Sequence, residues 1–252
     1  MLLSESMTKD VAEYLRDRDT VLVPCGSLEQ HWRAAPLACD TIIPVKLCVA
    51  AGERTGVAVA PAISYGMSEN HMGFPGTVSL RPETLASLVF DVIDSLYWHG
   101  FRKILFISGH GGNRGPVERG IEEATLKCPE ARLEYTLYSG LPGAAEKQRE
   151  LFCPDPGYHV TVTEVSMIWY LLSRTTPDFQ RITFPPEPSP EESLSRGEWR
   201  DRYPDGGAGS DLSFVSSEKG EILFHFLVDS LCGWLEDVET TEAETGEEGD
   251  HE

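Results

Sequence analysis

Glu29, His31 and Asp40 fall within twelve residues, in the run GSLEQHWRAAPLACD. His110 stands in a second such place, the turn Ser108-Gly109-His110-Gly111-Gly112-Asn113. Two carboxylates and two imidazoles are the donor set of a borderline divalent ion such as zinc or manganese. A water activated by such an ion is a hydrolytic nucleophile, so these residues point first to metal-dependent hydrolysis.

Each group follows a short apolar run. Thr20–Pro24 precedes the first and Lys103–Ser108 the second, and both read as buried β-strands. Open α/β sheets carry their chemistry at the carboxyl ends of parallel strands. Helices are expected at about Asp10–Arg18, Thr41–Thr55, Pro82–His99, Gly115–Leu126, Ala144–Leu151, Thr161–Leu172 and Glu218–Asp237, with further strands at Val57–Ala60 and Leu133–Tyr138. Alternating strands and helices imply one α/β domain with a mostly parallel, helix-flanked sheet, covering residues 1–236. Residues 174–215 hold many Pro, Gly, Ser and charged residues and read as a long excursion with little regular structure.

The individual residues carry competing readings. Asp40 is either a metal ligand or the N-cap of the helix at Thr41. The glycines beside His110 allow a close backbone approach and positive φ. Asn113 either holds a substrate oxygen or caps the following helix. His159 and Glu164, in GYHVTVTEVSMIWYL, sit where a loop enters a helix. Glu164 is either an acid favoured by the helix dipole or the partner of a cation, since a lone charge in an apolar helix needs one. His71, Tyr65, Phe74 and Trp32 are packing residues or pocket residues. The glycine turn lacks G-x-G-x-x-G spacing and no acid ends the next strand, which argues against a dinucleotide site.

Bulk properties narrow the class. The formal net charge is −20, and the last seventeen residues carry nine acids without a Lys or Arg. Such a surface excludes nucleic acid and anionic membranes as partners. Residues 237–252 read as an acidic disordered tail. No apolar stretch is long enough to span a bilayer, and the N-terminus lacks a signal-peptide pattern, so a cytoplasmic location is expected. The six cysteines show no C-x-x-C spacing and are expected to be free thiols.

Five segments, GSLEQH with PLACD, NHMGFPGTVSLRPET, ISGHGGN, HVTVTEVS and GGAGSDLSFVSSEKGE, together resemble the creatininase family of metal-dependent amidohydrolases, in family order over most of residues 1–236. The resemblance implies a three-layer α/β/α sandwich with two divalent ions per chain, zinc or manganese with iron admissible, and a homo-oligomer, often a hexamer. Glu29 and His110 would ligate one ion, His31 the other, and Asp40 would bridge them. His159 matches a proposed proton shuttle. Creatininase has a glutamate where Gly112 stands here, and Glu164 is the candidate replacement. The usual E-Q-H-G-P-H run reads Glu29-Gln30-His31-Trp32-Arg33-Ala34, so creatinine is not the favoured substrate, and Arg33 could favour an anion. The implied reaction is hydrolysis of a C–N bond in a small cyclic or linear amide or formamide. The ions would activate a water, His159 would protonate the leaving nitrogen, and Asn113 would orient the substrate. Family relatives deformylate a pyrimidine nucleotide or trim peptide cofactor precursors. A catalytically silent binding or scaffold protein is the alternative.

Overall fold

The structure is a computed structural model, and it describes residues 1–152, 157–173, 182–189, 192 and 194–240. Four parallel strands, β1 (Thr20–Cys25), β2 (Ala58–Val59), β3 (Lys103–Ser108) and β4 (Arg132–Leu137), form a sheet in the order β2-β1-β3-β4. The helices are α1 (Thr8–Tyr14), α2 (Cys39–Thr55), α3 (Pro82–Trp98), α4 (Arg114–Thr125), α5 (Ala144–Leu151), α6 (Val162–Leu171), α7 (Arg196–Arg202) and α8 (Ser217–Thr240). None of the described helices is long and apolar enough to cross a membrane.

Strands β1 and β3 are buried along their whole length, because helices cover both sheet faces. Alternate residues point to opposite sides. Leu22, Leu105 and Ile107 join the core made with α2, α5, α6 and α8. Val21, Val23, Ile104 and Phe106 join the core made with α1, α3 and α4. This is the expected three-layer α/β/α sandwich. The chain runs from β1 outward to β2, then crosses to β3 on the other side of β1. The carboxyl ends of β1 and β3 therefore flank a topological switch point, where open α/β sheets form a crevice.

Several boundaries differ from expectation. α2 begins two residues early, so Asp40 is its second residue and Ala38 takes the N-cap position without a side-chain bond. The N-cap reading of Asp40 is thereby corrected. The excursion at 174–215 is not devoid of structure. α7 lies within it, started by Ser195, whose hydroxyl accepts from the Glu198 N–H while the Glu198 carboxylate accepts from the Ser195 N–H. α8 runs to Thr240, past the expected start of the tail at 237. Residues 241–252 of that tail, Cys153 and part of the excursion lie outside the described residues.

Candidate metal centre

The loop after β1 and the turn after β3 converge on the first turn of α2. Gly109 makes this possible: a Cβ there would lie 2.0 Å from the Asp40 carbonyl oxygen. Its role is close approach, since neither Gly109 nor Gly111 adopts positive φ. Of the three side-chain-bearing residues with left-handed backbone among those described, two stand directly after a site histidine, Trp32 at φ 49° and Val160 at φ 56°. Such residues cost about 1–3 kcal/mol each and persist where the surroundings demand them.

Asp40 sits at the middle, buried, and its two oxygens face different histidines. Oδ1 is 3.2 Å from His31 Nε2, and Oδ2 is 3.2 Å from His110 Nδ1. Ser27 Oγ also donates to Oδ2 at 2.9 Å. Glu29 Oε2 is 3.4 Å from His110 Nδ1. Both histidines have their other ring nitrogen tied to a backbone carbonyl. His31 Nδ1 donates to the Glu29 carbonyl at 3.1 Å, and His110 Nε2 donates to the Met67 carbonyl at 2.9 Å. In the neutral ring this fixes the tautomer so that the nitrogen facing Asp40 carries the lone pair, which is how proteins prepare imidazole for a cation that displaces the proton.

The donor set fits a divalent ion. Two ligands each about 2.0–2.1 Å from one tetrahedral ion lie roughly 3.3–3.4 Å apart, close to the separations here. Glu29 Oε2 and His31 Nε2 are buried with no hydrogen bond of acceptable geometry. A buried polar atom in that state is costly unless something else meets it. Three groups have ligand atoms within 4.8 Å of one another: Glu29, Asp40 and His110; Glu29, His31 and His159; His31, Cys39 and Asp40. Glu164 is in none of them. Its Oε1 is 4.0 Å from His31 Nε2 and accepts the Thr161 N–H in a capping box, so it serves the start of α6 while also lining the cavity.

The electrostatics show the same demand for positive charge. Burial opposes protonation of His31, but Asp40, Glu164 and Glu29 outweigh it and raise the imidazole to about 10. His110 is likewise disfavoured by burial yet raised to about 9 by Glu29 and Asp40. Burial would push Asp40 up, yet His31 and His110 hold it far below the usual carboxylate range. Burial, then Asp40 and Glu29, raise Glu164, with His31 opposing. Burial and the neighbouring His71 and His31 keep His159 neutral, well below its ordinary value.

Above this floor is a cavity of about 360 Å³. His159 stacks on His71 with ring centroids 4.1 Å apart, and His71 meets Trp199 of α7 edge-on at 4.7 Å. His159 Nε2 lies 3.0 Å from the Gln30 carbonyl, and Nδ1 lies 3.4 Å from Glu29 Oε1. The Gln30 side chain accepts from the Trp32 N–H, donates to the Gly206 carbonyl and reaches both His71 and His159. Sequence reasoning missed Gln30 and Trp199. The S-x-x-E pattern at Ser195–Glu198 was the available signal for α7.

Two expectations fail. Asn113 does not reach the substrate space and does not cap α4. It is fully buried, accepts the Met67 N–H, and donates to the Gly26 carbonyl and Cys25 Sγ, stapling two loops together. Arg33 does not offer its charge to the cavity either. Its guanidinium lies over Trp32 at 4.3 Å, and no Lys or Arg lines the cavity among the described residues. Gly112 carries a steric reason for lacking a side chain: a Cβ would lie 2.5 Å from His110 Nε2 and 2.6 Å from the Met67 carbonyl oxygen, the pair whose bond orients the ring.

A family model for creatininase, described as creatinine amidohydrolase, matches residues 4–235. The creatinine amidohydrolase of Pseudomonas putida is 28% identical over 84% of this chain and 86% of that protein. A 3-dehydro-scyllo-inosose hydrolase of Thermotoga maritima is 35% identical over 42% of this chain, and a mycofactocin precursor peptide peptidase of Mycolicibacterium smegmatis is 41% identical over 37% of it. The aligned stretches span 35% and 40% of those two proteins. A manganese creatininase structure superposes with a TM-score of 0.83 at 25% identity, covering 94% of this chain and 97% of that one. A mutant creatininase in a zinc–zinc form gives 0.82 at 26%, with the same coverage. The chain belongs to the creatininase (creatinine amidohydrolase) family of hydrolases.

Proposed function

We propose that the protein hydrolyses a C–N bond of a small, non-anionic amide, using two divalent ions held by Glu29, Asp40 and His110 on one side and His31, Asp40 and Glu164 on the other. The observation that carries this reading is Asp40, whose two oxygens each address a different histidine whose lone pair is fixed by a backbone carbonyl. Bound ions of this kind acidify water and polarise a carbonyl. The protein's own residues do the rest. Burial of Glu29, Asp40 and His31 excludes bulk water beneath the cavity, which strengthens every charge interaction there. With Nε2 tied to the Gln30 carbonyl, neutral His159 can take a proton at Nδ1 and pass it to the leaving nitrogen.

The cavity also constrains the substrate. Its acidic side chains are Glu29, Asp40, Glu69 and Glu164, and among the described residues no Lys or Arg lines it to receive a phosphate or carboxylate beside the ions it would hold. Ser68 Oγ, buried without a partner, and the Tyr158 ring at the mouth suit a neutral polar amide. A cytoplasmic homo-oligomer completes the proposal, the location supported by five buried free cysteines and the assembly by family resemblance alone.

The test is amine release from a panel of neutral cyclic amides and formamides, with metal content measured on the same samples. Wild-type protein should carry about two ions and lose turnover with chelator. Asp40→Ala should lose both ions and at least about a hundredfold in kcat/KM. An Asp40→Ala protein with full metal content, or wild-type turnover indifferent to chelator, would refute the assignment.

A further inference from the structure

We infer that the Cys39 thiol ligates the ion on the His31 side of the centre, giving that half a soft, zinc-preferring character that the Glu29–His110 half lacks. The inference rests on the two-ion reading above and adds a donor to it.

Cys39 is the first residue of α2, immediately before Asp40, and is fully buried. Its sulfur, a ring nitrogen of His31 and an oxygen of Asp40 lie within 4.8 Å of one another. His31 Nδ1 is occupied by the Glu29 carbonyl, so the nitrogen available to a cation is Nε2. That atom is buried without a hydrogen bond and is independent evidence that something is to be bound there. The oxygen donors on this side are sparse. Asp40 Oδ1 is at 3.2 Å from His31 Nε2, while Glu164 Oε1 is at 4.0 Å and already accepts the Thr161 N–H. A sulfur would bring the set on this side to His31, Asp40, Glu164 and Cys39, the four donors a closed tetrahedral ion takes, and would leave the open position for water to the half with three protein donors, Glu29, Asp40 and His110.

Charge balance argues the same way. Glu29, Asp40 and Glu164 offer three negative charges to two dications in a buried site, and a thiolate supplies the fourth. Ligation releases the thiol proton to solvent as the ion enters, as it must for any cysteine ligand. Thiolate favours zinc over manganese, whereas carboxylate and imidazole accept either. The two halves of one centre, joined by Asp40, would therefore select metals differently.

Cobalt(II) titrated into chelator-stripped protein reads the sulfur directly. Wild-type protein should show visible d–d bands and a near-ultraviolet thiolate-to-cobalt charge-transfer band. Cys39→Ser should lose the charge-transfer band and keep d–d bands. Its zinc affinity, measured against a chromophoric chelator, should fall by more than about tenfold, the loss that even residues merely supporting a ligand produce. Manganese affinity should be unchanged. A wild-type spectrum with d–d bands but no charge-transfer band, or a band that survives in Cys39→Ser, overturns the cysteine assignment and leaves the centre standing. Failure of wild type to bind cobalt at all overturns the two-ion reading and this inference with it. Should Cys39→Ser not fold, X-ray absorption on zinc-loaded wild type decides: sulfur at about 2.3 Å supports the inference, and a shell of nitrogen and oxygen alone refutes it.

Discussion

The floor of the cavity and its wall are built in opposite ways. The floor, made of Glu29, His31, Asp40 and His110, comes from two short connections at the ends of adjacent strands and from the helix one of them enters. The wall, made of His71, Tyr158, His159 and Trp199, is assembled from three segments far apart in the chain. The floor is a consequence of sheet topology, because residues 26–40 and 109–113 must meet once β1 and β3 pair. The wall depends on side chains packing on one another, with Gln30 as the link: its backbone belongs to the floor loop and its amide reaches His71 and His159. Metal affinity should reside in the floor, and substrate handling in the wall.

That division can be broken experimentally. Trp199→Ala removes a fully buried indole and should cost about 3–5 kcal/mol in urea unfolding, while the folded variant still loads about two ions and loses turnover. Loss of metal together with the indole would mean that wall and floor are one unit. Asn113→Ala should cost about 1–3 kcal/mol, since it leaves the Met67 N–H and the Gly26 carbonyl without their partner. Its KM should stay unchanged, because Asn113 braces the floor from behind; a rise in KM would restore it to the substrate. The smallest effect is a proton count. His31 and His110, raised to about 10 and about 9 by neighbouring carboxylates once burial is overcome, should be protonated in the metal-free protein at pH 7.5. Metal binding should therefore release about two protons from them, plus any from Cys39 or Glu164, and apparent affinity should rise with pH until those values are passed. Calorimetry in buffers of different ionisation enthalpy measures this, and zero net release would show that the imidazoles are already neutral.

The same contrast explains what was legible in the sequence. The floor could be read because strand periodicity and ligand-type residues lie side by side, and β1, β3 and α5 fall within a residue of where the pattern puts them. The family motifs then gave the candidate ligands their expected roles. Asn113 misled because an amide after a glycine turn looks alike whether it faces a substrate or a backbone carbonyl; only the packing of Gly66 and Met67 against it decides. Arg33 misled for a similar reason, as its stacking on Trp32 is a tertiary fact. Glu164 carries both of its readings at once, capping α6 through Thr161 while approaching His31. Trp199 was hidden in a Pro- and Gly-rich stretch without apolar periodicity, where the capping box was the sole local sign of a helix.

The central claim is that Asp40 joins two metal positions beneath the cavity. Anomalous diffraction from crystals of the zinc-loaded protein tests it most directly. The account predicts two peaks, one among Glu29, His110 and Asp40 and the other among His31 and Asp40, with one Asp40 oxygen toward each. A single peak, or peaks that Asp40 does not touch, would contradict it.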